Sequence, residues 1–208
     1  MPAILAKKLG MTQVFQEDGS VARVTVLEAG PCPVTAIRTP ERDGYEAVQL
    51  AFGQAREKHL TKAELGHLKK SGAPPLRHLV EFRIPPTQAG ELQLGESVTV
   101  EAFEVGERVK VAGTSKGKGF QGTIRRHGFK RGPKSHGSHN VRAPGSIGAS
   151  ATPARVVKGI RGPGQMGNRR ATQRGLKIVA LDAAQNLMLL GGSVPGPKGA
   201  VVEVRSDA

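Results

Sequence analysis

A mainly β protein, either a small barrel or a sandwich, is the fold class this sequence predicts, and three observations carry it. Short alternating runs rich in Val, Ile, Leu and Thr recur along the chain. Gly (28) and Pro (14) punctuate them, and one stretch alone reads as a helix. The chain has 208 residues, 38% hydrophobic and 3% aromatic, with no Trp. That supports a modest core in one domain, or one domain with a large insertion, and leaves much backbone to be held by something else.

The elements follow in order. In VFQEDGSVARVTVL, Asp18 and Gly19 form a turn between two β-prone runs, a hairpin signal, and Val24 and Val26 alternate with Arg23 and Thr25. EAVQLAF (Glu46–Phe52), ESVTVEAF (Glu96–Phe103) and ERVKVAG (Glu107–Gly113) alternate likewise. Later come LKIVALD (Leu176–Asp182), NLMLLGG (Asn186–Gly192) and AVVEVR (Ala200–Arg205). The helix begins at a capping box of Thr61 and Glu64, with Leu60 placed to staple onto Leu65. Leu65 and Leu68 share a face, and Gly72 is a stop. We expect it to pack on the barrel rather than bind nucleic acid, although Lys69 and Lys70 can reach a phosphate.

The charge is segregated. The chain carries +14, yet from Arg108 to Leu181 there is no Asp or Glu, where the average composition would place about six. That stretch holds 17 Lys and Arg; the remaining 14 share the rest of the chain with all 17 acids, a net −3. It also holds half of the glycines and shows no sustained apolar period in its middle. Ordering each residue costs about 1–2 kcal/mol of backbone entropy. The middle of the stretch cannot bury enough apolar surface to offset this; a polyanion can, by taking up the charge and accepting hydrogen bonds. Nucleic acid, an anionic membrane surface and an acidic protein all satisfy the charge. The cations are dispersed rather than arrayed on a helical face, which argues against a membrane. Only Phe120 and Phe129 could stack on bases within the stretch, which argues against a single-strand platform and for contact with the backbones of folded helices.

Several motifs fall short of chemistry. Gly162-Pro163-Gly164-Gln165-Met166-Gly167 matches G-x-G-x-x-G, but no apolar helix follows in NRRATQRG. GTSKGKG has three residues between Gly113 and Gly117 where a phosphate-binding loop has four, and Gly119 replaces the hydroxyl that would hold Mg²⁺. His136 and His139 have no cysteine or carboxylate near them in sequence, so phosphate or ribose hydrogen bonding is the reading preferred over a metal. Cys32 is the single cysteine, which excludes an internal disulfide. With no apolar run of membrane length and no signal pattern, the expectation is a soluble protein of a reducing compartment, the bacterial cytoplasm. No acid–base pair or nucleophile set emerges, so no catalysis, cofactor, metal or small-molecule substrate is expected. An RNA-modifying enzyme would need a cofactor pocket, and an architectural DNA-binding protein would bring groove-reading helices or ribbons with apolar wedges.

The residues also carry a resemblance. LAKKLGMTQVF, DGYEAVQLAF (Asp43–Phe52), GTSKGKGFQGT (Gly113–Thr123), PGSIG (Pro144–Gly148), GQMGN (Gly164–Asn168) and VPGPKG (Val194–Gly199) resemble, in order, the universal large-subunit ribosomal protein L-three (L3) family, in its bacterial form. The resemblance implies a mainly β fold with an α+β insertion: a closed six-stranded translation-factor-like barrel with a long basic non-globular extension. The implied boundaries are barrel strands at 1–52, the insertion at 53–95, barrel strands at 96–115, a basic RNA-threading extension at 116–174 and barrel strands at 175–208. It implies a structural constituent of the large ribosomal subunit that binds ribosomal RNA, assists early subunit assembly and supports the peptidyl-transferase region. It also implies contacts with neighbouring ribosomal proteins, L-fourteen and L-nineteen among them. The expected RNA-binding residues are Lys7, Lys8, Lys116, Lys118, Arg125, Arg126, Lys130, Arg131, Lys134, His136, His139, Arg142, Arg155, Lys158, Arg161, Arg169, Arg170 and Arg174. Two sites depart from the family pattern. Ala149, Ser150 and Ala151 follow GSIG where some relatives have a methylated glutamine, and His127 stands in RRHGF where many have an aromatic residue.

Overall fold

The computed structural model describes residues 2–16, 18–83 and 92–207. Twelve strands and three helices lie among them: β1 (Ala3–Phe15), β2 (Val21–Ala29), β3 (Cys32–Arg38), α1 (Pro40–Asp43), β4 (Ala47–Gln54), α2 (Lys62–Lys70), β5 (Leu76–Arg83), β6 (Ser97–Val98), β7 (Arg108–Thr114), β8 (Phe120–Gln121), α3 (Thr123–His127), β9 (Gly164–Gln165), β10 (Arg170–Asp182), β11 (Leu187–Gly191) and β12 (Val201–Ser206). The chain divides into two units, Met1–Thr114 with Arg170–Ala208, and Ser115–Arg169.

In the first unit, six strands close a barrel in the order β1-β12-β7-β10-β11-β2, every pair antiparallel. The fold is therefore mainly β around a closed six-stranded barrel. Closure leaves no edge in the ring, which removes the aggregation hazard of an open sheet. The β1–β2 hairpin turns where the Asp-Gly signal lies. Gly19 takes φ 78°, and Asp18 Oδ1 accepts from the Ser20 amide at 2.8 Å.

Among the described residues between β2 and β7, no strand joins the barrel. β3, β4, β5 and β6 form a separate sheet in the order β5-β4-β3-β6. The expectation of barrel strands to residue 52 is corrected here, since Cys32–Gln54 belongs to this second sheet. So is the expectation for 96–115, where β6 pairs with β3 and only β7 enters the barrel. Alternation marks a half-buried strand and says nothing about which sheet will take it. ESVTVEAF keeps two strand residues, and Val100–Ala102 turns as a single 3-10 helix that buries Val100. Part of the expected insertion, residues 84–91, lies outside the described residues.

One core joins the sheet to the barrel. Val48, Leu50 and Phe52 of β4 and Phe82 of β5 pack with Leu5, Leu27, Val111 and Ile178 of the barrel. Burying each such side chain contributes about 1.5–3 kcal/mol. Ile4, Leu5 and Ala6 are all fully buried because both faces of β1 are covered, one by the barrel interior and one by the second sheet. The Arg205 guanidinium lies 4.7 Å over the Phe82 ring across the same boundary. Gly30 makes the exit from β2 to β3. It adopts φ 75°, and a Cβ there would meet the Val98 carbonyl at 3.1 Å and the Ile4 side chain at 3.0 Å.

The alternate positions of β4 face α2. Ala51 packs with Leu68 and Leu76, and Gln49 Oε1 lies 2.6 Å from His67 Nε2. The helix thus packs on the second sheet, a departure from the expected seat on the barrel. Its ends match the sequence. Thr61 and Glu64 form the reciprocal capping box. Gly72, at φ 71°, follows the C-cap, with Gly72 N donating to Lys69 O and Ala73 N to Leu68 O, a Schellman stop. Cys32 is buried, and burial pushes its thiol up to about 12, leaving it inert.

The Val194–Gly199 turn is clamped by one residue of β1. Lys8 Nζ donates to Val194 O at 2.8 Å and to Gly196 O at 3.3 Å, its amide donates to Ala200 O, and its carbonyl accepts from Gly199 N. Lys8 is buried, 7% exposed. Its placement among the RNA-binding residues is corrected, because the ammonium is enclosed and held by backbone carbonyls. We predict that Lys8→Met, close in volume but without the donors, leaves buried acceptors unpaired and costs about 2 kcal/mol, roughly 4–8 °C in Tm. Thermal unfolding by circular dichroism measures it, and an unchanged Tm would contradict the clamp.

Glu81 anchors the polar side of the second sheet. Tyr45 donates to its Oε2 at 2.6 Å, and Arg38 Nε donates to its Oε1 at 3.0 Å. The Tyr45 hydrogen bond, with help from Arg38 and against the effect of burial, holds this carboxyl below its ordinary value. A depressed carboxylate contributes stability above its unfolded pKa, and the contribution is lost as pH falls through the folded one. Tyr45→Phe raises the folded value, so the acid-unfolding midpoint moves to higher pH. An acid titration followed by circular dichroism of wild type and variant checks the direction.

Candidate nucleic-acid interface

The second unit, Ser115–Arg169, holds 12 Lys and Arg and no Asp or Glu. Thr123 is its one buried residue. A unit of 55 residues with one buried side chain has no hydrophobic core, so local hydrogen bonds and backbone geometry shape it.

Its two ends run alongside each other. Ser115 N donates to Arg169 O at 3.0 Å, Asn168 N to Ser115 O at 3.1 Å, Lys118 N to Met166 O at 2.9 Å and Met166 N to Gly119 O at 3.0 Å. The short β8–β9 pair continues the ladder. GTSKGKGF and GQMGN, remote in sequence, are thus the two rails of one structure. Gly167 permits it, because at φ 72° an added Cβ would collide with the Lys116 carbonyl. The G-x-G-x-x-G motif lies at β9 and runs on into strand β10 rather than a helix.

A short helix, α3, follows β8, where the sequence shows no period because five residues are too few to display one. Gly128 ends it in the left-handed conformation. Arg126 Nη1 donates to Gly162 O at 2.7 Å, and His127 Nε2 lies 3.0 Å from the same oxygen. With no carboxylate in the unit, a backbone carbonyl serves as their acceptor. The His127 ring lies 6.1 Å from that of Phe129, so the two rings are neighbours at the end of α3.

The sequence-derived cations divide by environment. Lys116, Lys118, Arg125, Lys130, Arg131, Lys134, His136, His139, Arg142, Arg155, Lys158, Arg161 and Arg169 are exposed. None of them makes an ion pair among the described residues. Arg126 is half-buried and bound within the unit. In the first unit, Lys7 lies 3.8 Å from Glu28 and keeps about half of its side chain exposed. Arg170 pairs with Glu203, while Arg174 is exposed on β10. Arg170 and Arg174 therefore belong to a barrel strand, which moves the end of the expected 116–174 extension back to 169. The alternation of β10 starts inside the acid-free stretch, so charge alone misplaces the boundary. Lys177, exposed on β10, and Lys198, exposed beside the Lys8-clamped turn, join the basic surface of the barrel unit. The first lies within the acid-free stretch, and the second had no charge signal to mark it. Among the described residues no three His, Cys, Asp or Glu side chains gather into a metal cluster.

Residues 89–187 match the family model described as Ribosomal protein L3. The chain is also similar to the large ribosomal subunit protein uL3 of Synechococcus elongatus, 54% identical over 201 residues, covering 97% of this chain and 93% of the relative. It is 52% identical to that of Acaryochloris marina over 202 residues and 52% identical to that of Thermosynechococcus vestitus over 201, each covering 97% of this chain and 94% of the relative. Identity at this level, running through both the barrel and the acid-free unit, establishes that the chain belongs to the ribosomal protein L3 (uL3) family.

Proposed function

We propose that this chain is a non-catalytic, structural constituent of the large ribosomal subunit in the bacterial cytoplasm, and that it binds ribosomal RNA directly through the acid-free unit as a basic extension. The observation that carries this reading is the 12 Lys and Arg with no acid in a unit that buries one residue. Such a unit is stabilised best by a partner supplying dense negative charge and many hydrogen-bond acceptors, which are properties of folded RNA. Its glycines let backbone amides approach phosphates, and its arginines offer bidentate forks. Early assembly, support of the peptidyl-transferase region, and contacts with L-fourteen and L-nineteen belong to the same reading, as the family resemblance implies.

The exposed cations are the ones to test, since reversing Arg126 would also break its bond to Gly162. We predict that Lys130→Glu with Arg131→Glu lowers the yield of mature large subunits, whereas Lys69→Glu with Lys70→Glu leaves it near wild type. Sedimentation profiles and growth decide it; normal subunits from the first pair would overturn the assignment. Affinity should also fall steeply with salt. If about ten cations neutralise phosphates, the log–log slope is roughly −7 to −9, and a slope near −2 would remove the unit as the main electrostatic contact. A large-subunit RNA fragment and an unstructured RNA of equal length, titrated across a salt series, report the slope and whether folded RNA binds more tightly.

A further inference from the structure

We propose that the basic unit contains a pocket for a single unstacked RNA base, an inference that rests on the RNA-binding function proposed above. The cavity has a volume of ≈ 250 Å³, and its walls are Phe129, Ile147, Val156 and Ile160, closed by Pro144 and Pro163. Ser146 and Arg161 supply its polar groups. Ile147, Val156 and Ile160 are 55%, 44% and 50% exposed, so this apolar surface faces solvent, gathered at one cavity, while Phe120 and Val157 are exposed elsewhere in the unit.

The pocket is built rather than incidental. Gly162, on its wall, receives the Arg126 guanidinium and the His127 ring on its carbonyl, and its amide donates to Ile160 O at 2.9 Å. Helix α3 therefore holds the segment that carries Ile160 and Arg161.

Charge selects the occupant. Twelve cations and no carboxylate occupy this unit, so a peptide would have to bring its own acidic residues to dock here. RNA brings a phosphate with every nucleotide and an apolar planar face with every base. The size agrees, since drug-sized ligands take roughly 300–1,000 Å³ and this cavity is smaller, suited to one heterocycle. Phe129 offers an aromatic surface for stacking, and Arg161 offers donors to a base edge, the two devices by which splayed-out bases in loops and bulges are read. A base inserted here adds recognition of a particular nucleotide, which phosphate contacts alone do not carry.

The test uses the full chain in assembled large subunits. Ile160→Trp and Val156→Trp fill the cavity, whereas Val157→Trp adds the same bulk at a neighbouring exposed position. Base-specific chemical probing of the RNA should show one nucleotide, protected with the wild-type chain, gaining reactivity several-fold in both pocket variants and not in Val157→Trp. Unchanged reactivity in particles that contain the variants at wild-type level overturns the pocket, as does the same change in all three. Should the tryptophan variants fail to enter particles, Phe129→Leu, which removes the stacking face without adding bulk, gives the answer by the same probing. A several-fold gain in reactivity of the one protected nucleotide supports the pocket; unchanged reactivity overturns it. Absence of the wild-type chain from large-subunit particles would overturn the earlier functional reading instead, and this one with it.

Discussion

The pairing of β7 with β10 is the constraint on which the rest depends. Thr114 faces Arg170 across that ladder, so the acid-free unit begins and ends on neighbouring barrel strands. Closing a free loop of 55 residues costs about 3.6 kcal/mol by the logarithmic length rule. The barrel meets that cost through the same pairings that close its ring, and the Ser115–Arg169 and Lys118–Met166 hydrogen bonds extend the closure outward. The unit then needs only local ordering when a partner arrives. A free tail of the same composition would have one fixed end and a larger ensemble to lose.

The two units solve the problem of charge in opposite ways. In the first, acids answer cations: Glu81 and Asp43 hold Arg38, Glu28 faces Lys7, and Glu203 holds Arg170 and Arg205. In the second there is no acid, and the one guanidinium bound tightly inside it takes a backbone carbonyl. Like charges left without counterions raise the free energy of any compact arrangement, and a carbonyl dipole compensates less than a carboxylate. The unit accordingly remains almost wholly exposed. The repulsion that keeps the unit open is the one a polyanion would relieve, which is the physical basis of the RNA binding proposed for it.

Much of the fold was legible because the signals were local. The Asp18-Gly19 hairpin, the Thr61–Glu64 capping box, the Gly72 stop, strands β7, β11 and β12 and the second half of β10 depend on neighbours within a few residues. The assignment of β3 and β4 was not legible, because a half-buried strand reads the same in a barrel or in a sheet covering it. The seat of α2 followed the same error, since Ala51 and Leu76, which receive Leu68, belong to that second sheet. At the site, the exposed cations were legible from the missing acids, whereas Lys8 was not. A lysine beside another lysine reads as surface charge until the structure brings the Val194 and Gly196 carbonyls to its ammonium. VPGPKG carries no signal of that partnership, as 186 residues separate Lys8 from Val194.

Lys8 and Arg126 together bear on how counts of basic residues should be used. Both stand in basic pairs, and both direct their charge to backbone carbonyls within the chain, Lys8 to the turn at Val194–Gly199 and Arg126 to the wall at Gly162. Each organises surface that exposed neighbours present: Lys198 in the clamped turn, and Arg161 beside the pinned carbonyl. In the proposed RNA complex, affinity with its salt dependence would belong to the exposed cations, and the geometry in which they are offered to the enclosed ones. Neutralising an exposed lysine would then weaken binding in proportion to one phosphate contact. Neutralising an enclosed one disorganises several contacts together, so its effect exceeds that of a single charge and couples to the effects of its neighbours.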